Sequence, residues 1–131
     1  FLPAVFRKIL QGSGDEKLVL RRDVFQSCLV LYPESVWNEL TDSLRARLNR
    51  WDNKQQQVYR QFVSEAEMVQ LDGNGRFLIS RRCMKAVEIE ADVRFVGMGD
   101  TIEIWAVKKA DEALMDDKSF GEELQRLLNE E

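Results

Sequence analysis

Leu29-Val30-Leu31-Tyr32, preceded by Leu18-Val19-Leu20, is the stretch that decides the fold, because a similar pair of apolar segments returns later in the chain. The second pair is Val93-Arg94-Phe95-Val96 and Ile102-Glu103-Ile104-Trp105, displaced by 75 residues at the first segment and by 73 at the second. Short apolar segments bounded by turn residues are typical of β-strands. The sequence therefore predicts two copies of a small β unit. Such a unit buries its apolar face only against its other copy or against another chain.

The segments around these pairs predict further turns, strands and helices. Trp37, Leu40, Leu44, Leu48 and Trp51 recur at steps of three and four residues, which predicts an amphipathic helix after Pro33 with this stripe packed in the core. We expect strands over residues 17–22, 28–32, 65–71, 76–79, 93–98 and 101–106. We expect helical segments over residues 3–10, 53–63, 80–87, 108–114 and 119–128, with Ser80 as a cap.

The repeats predict an α+β chain in four parts. Residues 1–40 form the first repeat, residues 41–64 the linking helices, residues 65–115 the second repeat and residues 116–131 an acidic C-terminal helix. The turn over residues 71–76 of the second repeat has no counterpart before Phe1. We therefore expect a first strand and its turn to be missing upstream of this sequence.

The charge of the chain is unevenly distributed. The 131 residues carry 19 basic and 23 acidic side chains, a net charge of −4. Residues 111–131 hold eight of the acids and two of the bases, so residues 1–110 are mildly basic. This distribution permits an anionic partner without requiring one.

The composition argues against an enzyme. The chain has no histidine, which excludes Ser-His and Cys-His nucleophile pairs, and Cys28 and Cys83 do not form a metal-ligand spacing. We expect both thiols to be buried, and we predict no cofactor, no metal, no small-molecule substrate and no catalytic residue. Because no apolar run is long enough to span a membrane and no signal peptide is present, we expect a cytoplasmic protein without a membrane partner.

Asp72-Gly73-Asn74-Gly75-Arg76 is the stretch most suited to a binding role. Asp72 at the start of a turn can accept backbone N–H groups, and glycine permits positive φ and close approach of a partner. The Arg76 guanidinium suits a phosphate or a guanine edge. A local Asp72–Arg76 ion pair is the alternative interpretation. For Arg81 and Arg82, contact with a phosphate and exposure on a solvated helix face are about equally good interpretations. For Arg45, Arg47 and Arg50, exposure on a solvated face is the better interpretation.

The chain resembles the MraZ family in these motifs. The resemblance lies in residues 71–79, in Val96-Gly97-Met98-Gly99-Asp100-Thr101-Ile102-Glu103-Ile104-Trp105, and in residues 1–7 and 28–33 of the first half. It implies two AbrB-like swapped-hairpin half-repeats that form a small double-split β-barrel. It also implies a sequence-specific transcription regulator of the bacterial division and cell-wall gene cluster. Such a protein binds repeated boxes of promoter DNA as a ring of subunits, in the cytoplasm and at the nucleoid.

The resemblance also implies the binding residues. The signature of the family is an aspartate followed four positions later by an arginine, here Asp72 and Arg76. Relatives often carry a basic residue or glutamine where this chain has Asn74, and a proline where it has Ser80. The residues expected to bind DNA are Asp72, Asn74, Gly75, Arg76, Arg81, Arg82 and Arg7.

Two other functions fit the same sequence. The acidic tail and amphipathic helices suit a protein-interaction or scaffold ring without sequence-specific DNA binding. An AbrB-type antitoxin is a third possibility, because residues 119–128 are apolar enough to bind a toxin. The operator sequence, the subunit number and the choice between activation and repression do not follow from the sequence.

Overall fold

The structure, a computed structural model, describes residues 17–72 and 75–129. The predicted helical turn over residues 3–10, Arg7 and Asn74 lie outside this part of the chain. The strands are β1 (Lys17–Arg22), β2 (Leu29–Pro33), β3 (Glu67–Gln70), β4 (Val93–Gly97) and β5 (Ile102–Ala106). The helices are α1 (Glu34–Arg47), α2 (Asn53–Ser64), α3 (Arg81–Ala86), α4 (Val107–Ala110) and α5 (Asp117–Asn129), with a 3₁₀ turn at Asp111–Ala113 between the last two.

The five strands form one antiparallel sheet in the order β3-β1-β2-β5-β4. β2 pairs with β5, with Val30 opposite Glu103. The two predicted hairpins are therefore joined directly, and β3 and β4 lie at the opposite edges of the sheet. The prediction of an α+β fold is confirmed, whereas the double-split barrel of swapped hairpins stays a prediction.

Apolar side chains cover both faces of the sheet. Alternate strand residues point to one face, where Leu18, Leu29 and Ile104 pack with Cys83 and Val87 at α3. On the other face a second cluster packs against α4 and comprises Cys28, Val30, Trp105 and Ala110. Both cysteines are buried and unbridged, as expected, and burial raises the pKa of the Cys28 thiol to about 12, with smaller contributions from Glu103 and Asp23.

A buried arginine joins α2 to the sheet. Arg21 of β1 donates from Nε to the Phe62 carbonyl at 2.8 Å and from Nη2 to Glu65 Oε2 at 3.1 Å. Its guanidinium also donates to the Arg22 carbonyl and lies 4.5 Å from the centre of the Phe62 ring. The Arg21 side chain on β1 thus supplies hydrogen-bond donors to the C-terminal end of α2, the helix that precedes β3.

Two sequence predictions need correction. The strand predicted over residues 76–79 is wrong, because beyond the backbone bond between Asp72 and Arg76 no ladder continues within the described residues. The stripe after Pro33 is only partly in the core. Trp37 packs between Tyr32 and Phe62 at 5.2 Å, but Leu40 and Trp51 are exposed. The backbone becomes extended at Leu48, the C-cap of α1. Trp51 therefore does not continue the apolar face of that helix.

The described residues contain neither a helix long and apolar enough to cross a membrane nor a cluster of three or more His, Cys, Asp or Glu that could hold a metal ion.

Candidate nucleic-acid interface

The loop after β3 is closed by hydrogen bonds between its two ends. The Asp72 N–H donates to the Arg76 carbonyl at 2.9 Å, and the Arg76 N–H donates to Asp72 Oδ1 at 2.9 Å. The Gly75 N–H donates to the Asp72 carbonyl at 3.1 Å. Asp72 therefore braces the loop through both its backbone and its carboxylate, as predicted from its place at the turn.

Gly75 sets the direction in which the chain leaves this loop. Its φ of 77° lies in the left-handed region that glycine adopts at no steric cost, and the residue is buried. Arg76 follows it and is exposed. The loop thus carries an arginine on a short, internally bonded support.

An open groove of about 780 Å³ lies beside the loop. Its apolar lining is unusually exposed, since Leu78 is 90% and Met68 60% exposed. The groove runs along β3, an edge strand of the sheet. The residues that line it are Met68, Val69, Gln70, Asp72, Arg76, Phe77 and Leu78.

The two arginines of α3 have different environments. Ser80 caps the helix by accepting the Cys83 N–H at 3.2 Å, as predicted. Arg82 donates from Nη2 to Glu67 Oε2 at 2.8 Å and to the Glu65 carbonyl at 3.3 Å. Arg81 is exposed and forms no ion pair with another described residue. Arg81 is therefore more available to a partner than Arg82.

Glu67 of β3 holds this region together. Its Oε2 atom accepts hydrogen bonds from Cys83 Sγ at 2.9 Å, Arg82 Nη2 at 2.8 Å and Ser80 Oγ at 2.9 Å. The bonds from Cys83 and Arg82, in that order, are the main causes that lower the pKa of the Glu67 carboxyl. One carboxylate thus fastens the start of α3 to the strand that leads into the loop.

The structure brings together part of the predicted site. Asp72, Gly75 and Arg76 share one loop, and Arg82 is connected through Glu67 to the strand before it. Arg7 and Asn74 lie outside the described residues. Sequence reasoning missed Glu67, because an isolated acid on a short strand carries no signal that it will meet Ser80, Arg82 and Cys83.

Comparison with known proteins supports the resemblance seen in the sequence. The sequence model of the family described as "MraZ protein, putative antitoxin-like" matches residues 62–128. A protein of Phocaeicola vulgatus named transcriptional regulator MraZ is 54% identical over 128 residues, which cover 98% of this chain and 83% of the relative. The chain belongs to the MraZ family.

Other MraZ proteins are similar along the whole chain. The transcriptional regulator MraZ of Bacteroides fragilis is 50% identical over all 131 residues and 83% of its own length. That of Bacteroides thetaiotaomicron is also 50% identical over 131 residues and 84% of its length. The aligned region of these MraZ proteins includes the Asp72–Arg76 loop, α3 and α5.

Proposed function

We propose that this chain is a sequence-specific DNA-binding transcriptional regulator that contacts duplex DNA through the Asp72–Arg76 loop. The observation that carries the proposal is the exposed Arg76 on a loop closed by the Asp72 carboxylate, in a chain whose relatives are named transcriptional regulators. A braced loop fixes the backbone of Arg76 before binding, so less conformational entropy is lost in the complex. Arg76 would contact a phosphate or a guanine edge.

Neighbouring groups support the same surface. Arg81 adds an exposed positive charge at the start of α3, and the positive φ of the buried Gly75 sets the path of the backbone into the exposed Arg76. We assign Arg76 and Arg81 to the DNA contact, with Asn74 and Arg7 as further contacts, and we assign Asp72 and the buried Gly75 to the loop that positions Arg76. Arg82 acts mainly through its bond to Glu67, which positions α3 beside the loop.

The finer architecture and location are also proposals. We propose that the sheet completes a double-split barrel, since the exposed Met68 and Leu78 along the edge strand β3 suit a sheet that takes a further strand. We propose a ring of subunits that binds repeated promoter boxes of the division and cell-wall gene cluster in the cytoplasm, at the nucleoid. A ring presents one loop per subunit, so weak contacts add through multivalency.

A scaffold ring without sequence-specific DNA binding is the second candidate. The observation in its favour is the apolar face of α5, which is exposed along the acidic end of the chain. This alternative predicts equal affinity for the promoter duplex and for a shuffled duplex, and capture of protein partners through α5.

A fluorescence-anisotropy titration of a labelled promoter duplex tests the proposal. We expect wild-type protein to prefer this duplex to a shuffled one, and Arg76→Ala to weaken binding about 10- to 100-fold at each box, the range of a lost specific arginine contact. Arg94→Ala is the matched control, because Arg94 is an exposed arginine on β4, the opposite edge of the sheet. Unchanged affinity in the Arg76→Ala protein would overturn the assignment of the loop.

The same titration separates two roles of Arg76. If Arg76 contacts a phosphate, Arg76→Lys retains most of the affinity, and Arg76→Ala lowers the slope of log K against log salt by about 1. If Arg76 reads a guanine edge, Arg76→Lys loses the preference for the promoter duplex, because an ammonium lacks the planar fork of the guanidinium.

A further inference from the structure

The C-terminal helix α5 carries an apolar stripe that no part of the described chain covers. Phe120, Leu124, Leu127 and Leu128 lie at helical spacing and are 44–75% exposed. No residue of α5 is buried against residues 17–72 or 75–129. A helix with such a face gains stability from a packing partner rather than from its own sequence. The stripe therefore marks α5 as a surface for another molecule.

Acidic side chains surround this stripe. Asp117 and Glu123 lie beside it on the helix surface, and residues 111–131 carry eight acids against two bases. Two α5 helices brought face to face would place like charges together, which is unfavourable. The partner surface for α5 should instead be apolar at its centre and basic around it.

The turn between α1 and α2 presents such a surface. Trp51 is 88% exposed, and Val58 on the first half of α2 is 54% exposed. Residues 45–60 contain a single acid, Asp52. They contain five bases, which are Arg45, Arg47, Arg50, Lys54 and Arg60.

The exposure of Trp51 is built into the turn. The Trp51 N–H donates to Asn49 Oδ1 at 3.0 Å, and the Asn49 N–H donates to Gln55 Oε1 at 2.6 Å. Asp52 caps α2 by accepting the N–H groups of Lys54 and Gln55 at 3.0 and 3.2 Å. The backbone on both sides of Trp51 is thus hydrogen-bonded, and the exposed indole stands on a turn of fixed backbone, as suits an interface anchor.

We propose that α5 of one subunit docks on the α1–α2 turn of a second copy, with its apolar stripe over Trp51 and Val58 and its acids toward the surrounding bases. The contact is heterologous, because it joins two different surfaces, and such contacts generate closed rings when the rotation between subunits closes. The inference rests on the ring in the proposed function and names its interface. Each subunit of a ring makes the contact twice, so a contact that is weak in an isolated pair suffices in the assembly.

Light scattering coupled to size-exclusion chromatography of the full chain tests the interface. We expect wild-type protein to elute as an assembly of several 15.3 kDa chains. Leu124→Glu with Leu128→Glu, and separately Trp51→Glu with Val58→Glu, should each give monomers. Gln125→Glu with Asn129→Glu, which adds the same two charges to exposed positions of α5 away from the stripe, is the matched control and should assemble like wild type. Thermal melts near the wild-type value show that the variants remain folded.

Mixing the two double variants tests the direction of the contact. Each retains the surface that the other lacks, so an equimolar mixture at high protein concentration should form a two-chain complex through this single contact and nothing larger. If only the α5 variant loses assembly, α5 docks on another surface and the proposed partner surface is wrong. If wild type assembles and both variants do so too, this interface is wrong while the ring stands. A wild-type chain that is monomeric at every concentration contradicts both the interface and the ring.

Intrinsic fluorescence tests the same contact without any substitution. Trp37 packs between the rings of Tyr32 and Phe62 and Trp105 is buried, so Trp51 is the tryptophan whose environment should change most on assembly. We expect a blue shift of the emission as the wild-type concentration rises through the assembly range. An emission maximum that stays constant through that range would contradict the docking of α5 on Trp51. Arg76→Ala should assemble normally, which separates this interface from the DNA contact.

Discussion

The Asp72 carboxylate accepts the backbone N–H of Arg76 at 2.9 Å, and the Asp72 N–H donates to the carbonyl of the same arginine at 2.9 Å. The aspartate and the arginine of the family signature are therefore joined through the arginine backbone. Their spacing of four positions is the spacing that lets one carboxylate close the loop. This bond explains why the signature contains an acid at a surface that is expected to bind a polyanion.

Two substitutions of Asp72 distinguish its hydrogen bond to the Arg76 N–H from the effect of its negative charge. Asp72→Ala removes the acceptor, and we expect the loss of a few-fold to about 30-fold in DNA affinity, the range of a lost capping bond of about 0.5–2 kcal/mol. Asp72→Asn retains an oxygen that can accept the Arg76 N–H and removes a negative charge near the phosphates. We therefore expect Asp72→Asn to bind DNA at least as tightly as wild type, as measured by anisotropy at fixed salt.

The two variants of Asp72 also define the outcome that contradicts this role. Equal loss of affinity in both would mean that the charge of Asp72, rather than its bond to the Arg76 N–H, is what the complex needs. Because Asp72 is exposed, global stability should change by less than about 1 kcal/mol in either variant.

Local patterns in the sequence were sufficient for most of the secondary structure. The apolar segments at Leu29 and Ile102 are strands, and Ser80 caps a helix, because each of these features depends on a few neighbouring residues. The pairing of β2 with β5 follows only from the tertiary structure. The absence of a strand over residues 76–79 has the same origin, since a strand exists only where a neighbour supplies its hydrogen bonds.

The candidate site was predictable to the extent that its chemistry is local. Asp72 and Arg76 are four positions apart, so the turn chemistry of an aspartate predicts their bond. The role of Glu67 was not predictable, because its three partners lie 13 to 16 positions away and meet it only when α3 packs against the sheet. Periodicity alone predicts that Trp51 lies in the core, because it gives no indication that α1 ends at Arg47.

The buried Arg21 side chain should contribute strongly to the stability of the fold. It is buried, and its removal leaves the Phe62 carbonyl and the Glu65 carboxylate without their donor. Loss of one partner of a buried, hydrogen-bonded pair is strongly destabilising, so we expect Arg21→Ala to lower the free energy of unfolding by about 2–4 kcal/mol in urea titrations. Arg21→Lys should recover only part of this loss, because lysine lacks the fork that serves two acceptors.

Arg22→Ala is the matched control for Arg21. Arg22 is the neighbouring arginine of β1, but its side chain is half exposed and its contact with Glu65 Oε2 is 3.9 Å. We expect a change below about 1 kcal/mol, as for most exposed ion pairs. A loss in Arg22→Ala as large as that in Arg21→Ala would show that the stabilisation comes from net charge near Glu65 and not from the buried hydrogen bonds.

Glu67 should make the stability of the chain dependent on acid pH. Its pKa in the folded protein is lowered from the ordinary 4.5 by hydrogen bonds from Cys83 and Arg82, so the unfolded chain takes up the proton at a higher pH than the folded chain. The stabilisation is therefore complete above about pH 4.5 and is lost as the pH falls through the folded pKa.

We expect Glu67→Gln to be less stable than wild type by about 1–3 kcal/mol at neutral pH, since it loses hydrogen bonds to a charged acceptor. The difference should shrink as the pH falls below about 4.5 in denaturant titrations. Glu122→Gln, at an exposed acid of α5, is the control, and a difference between wild type and Glu67→Gln that stays constant over this range would contradict the role of the carboxylate.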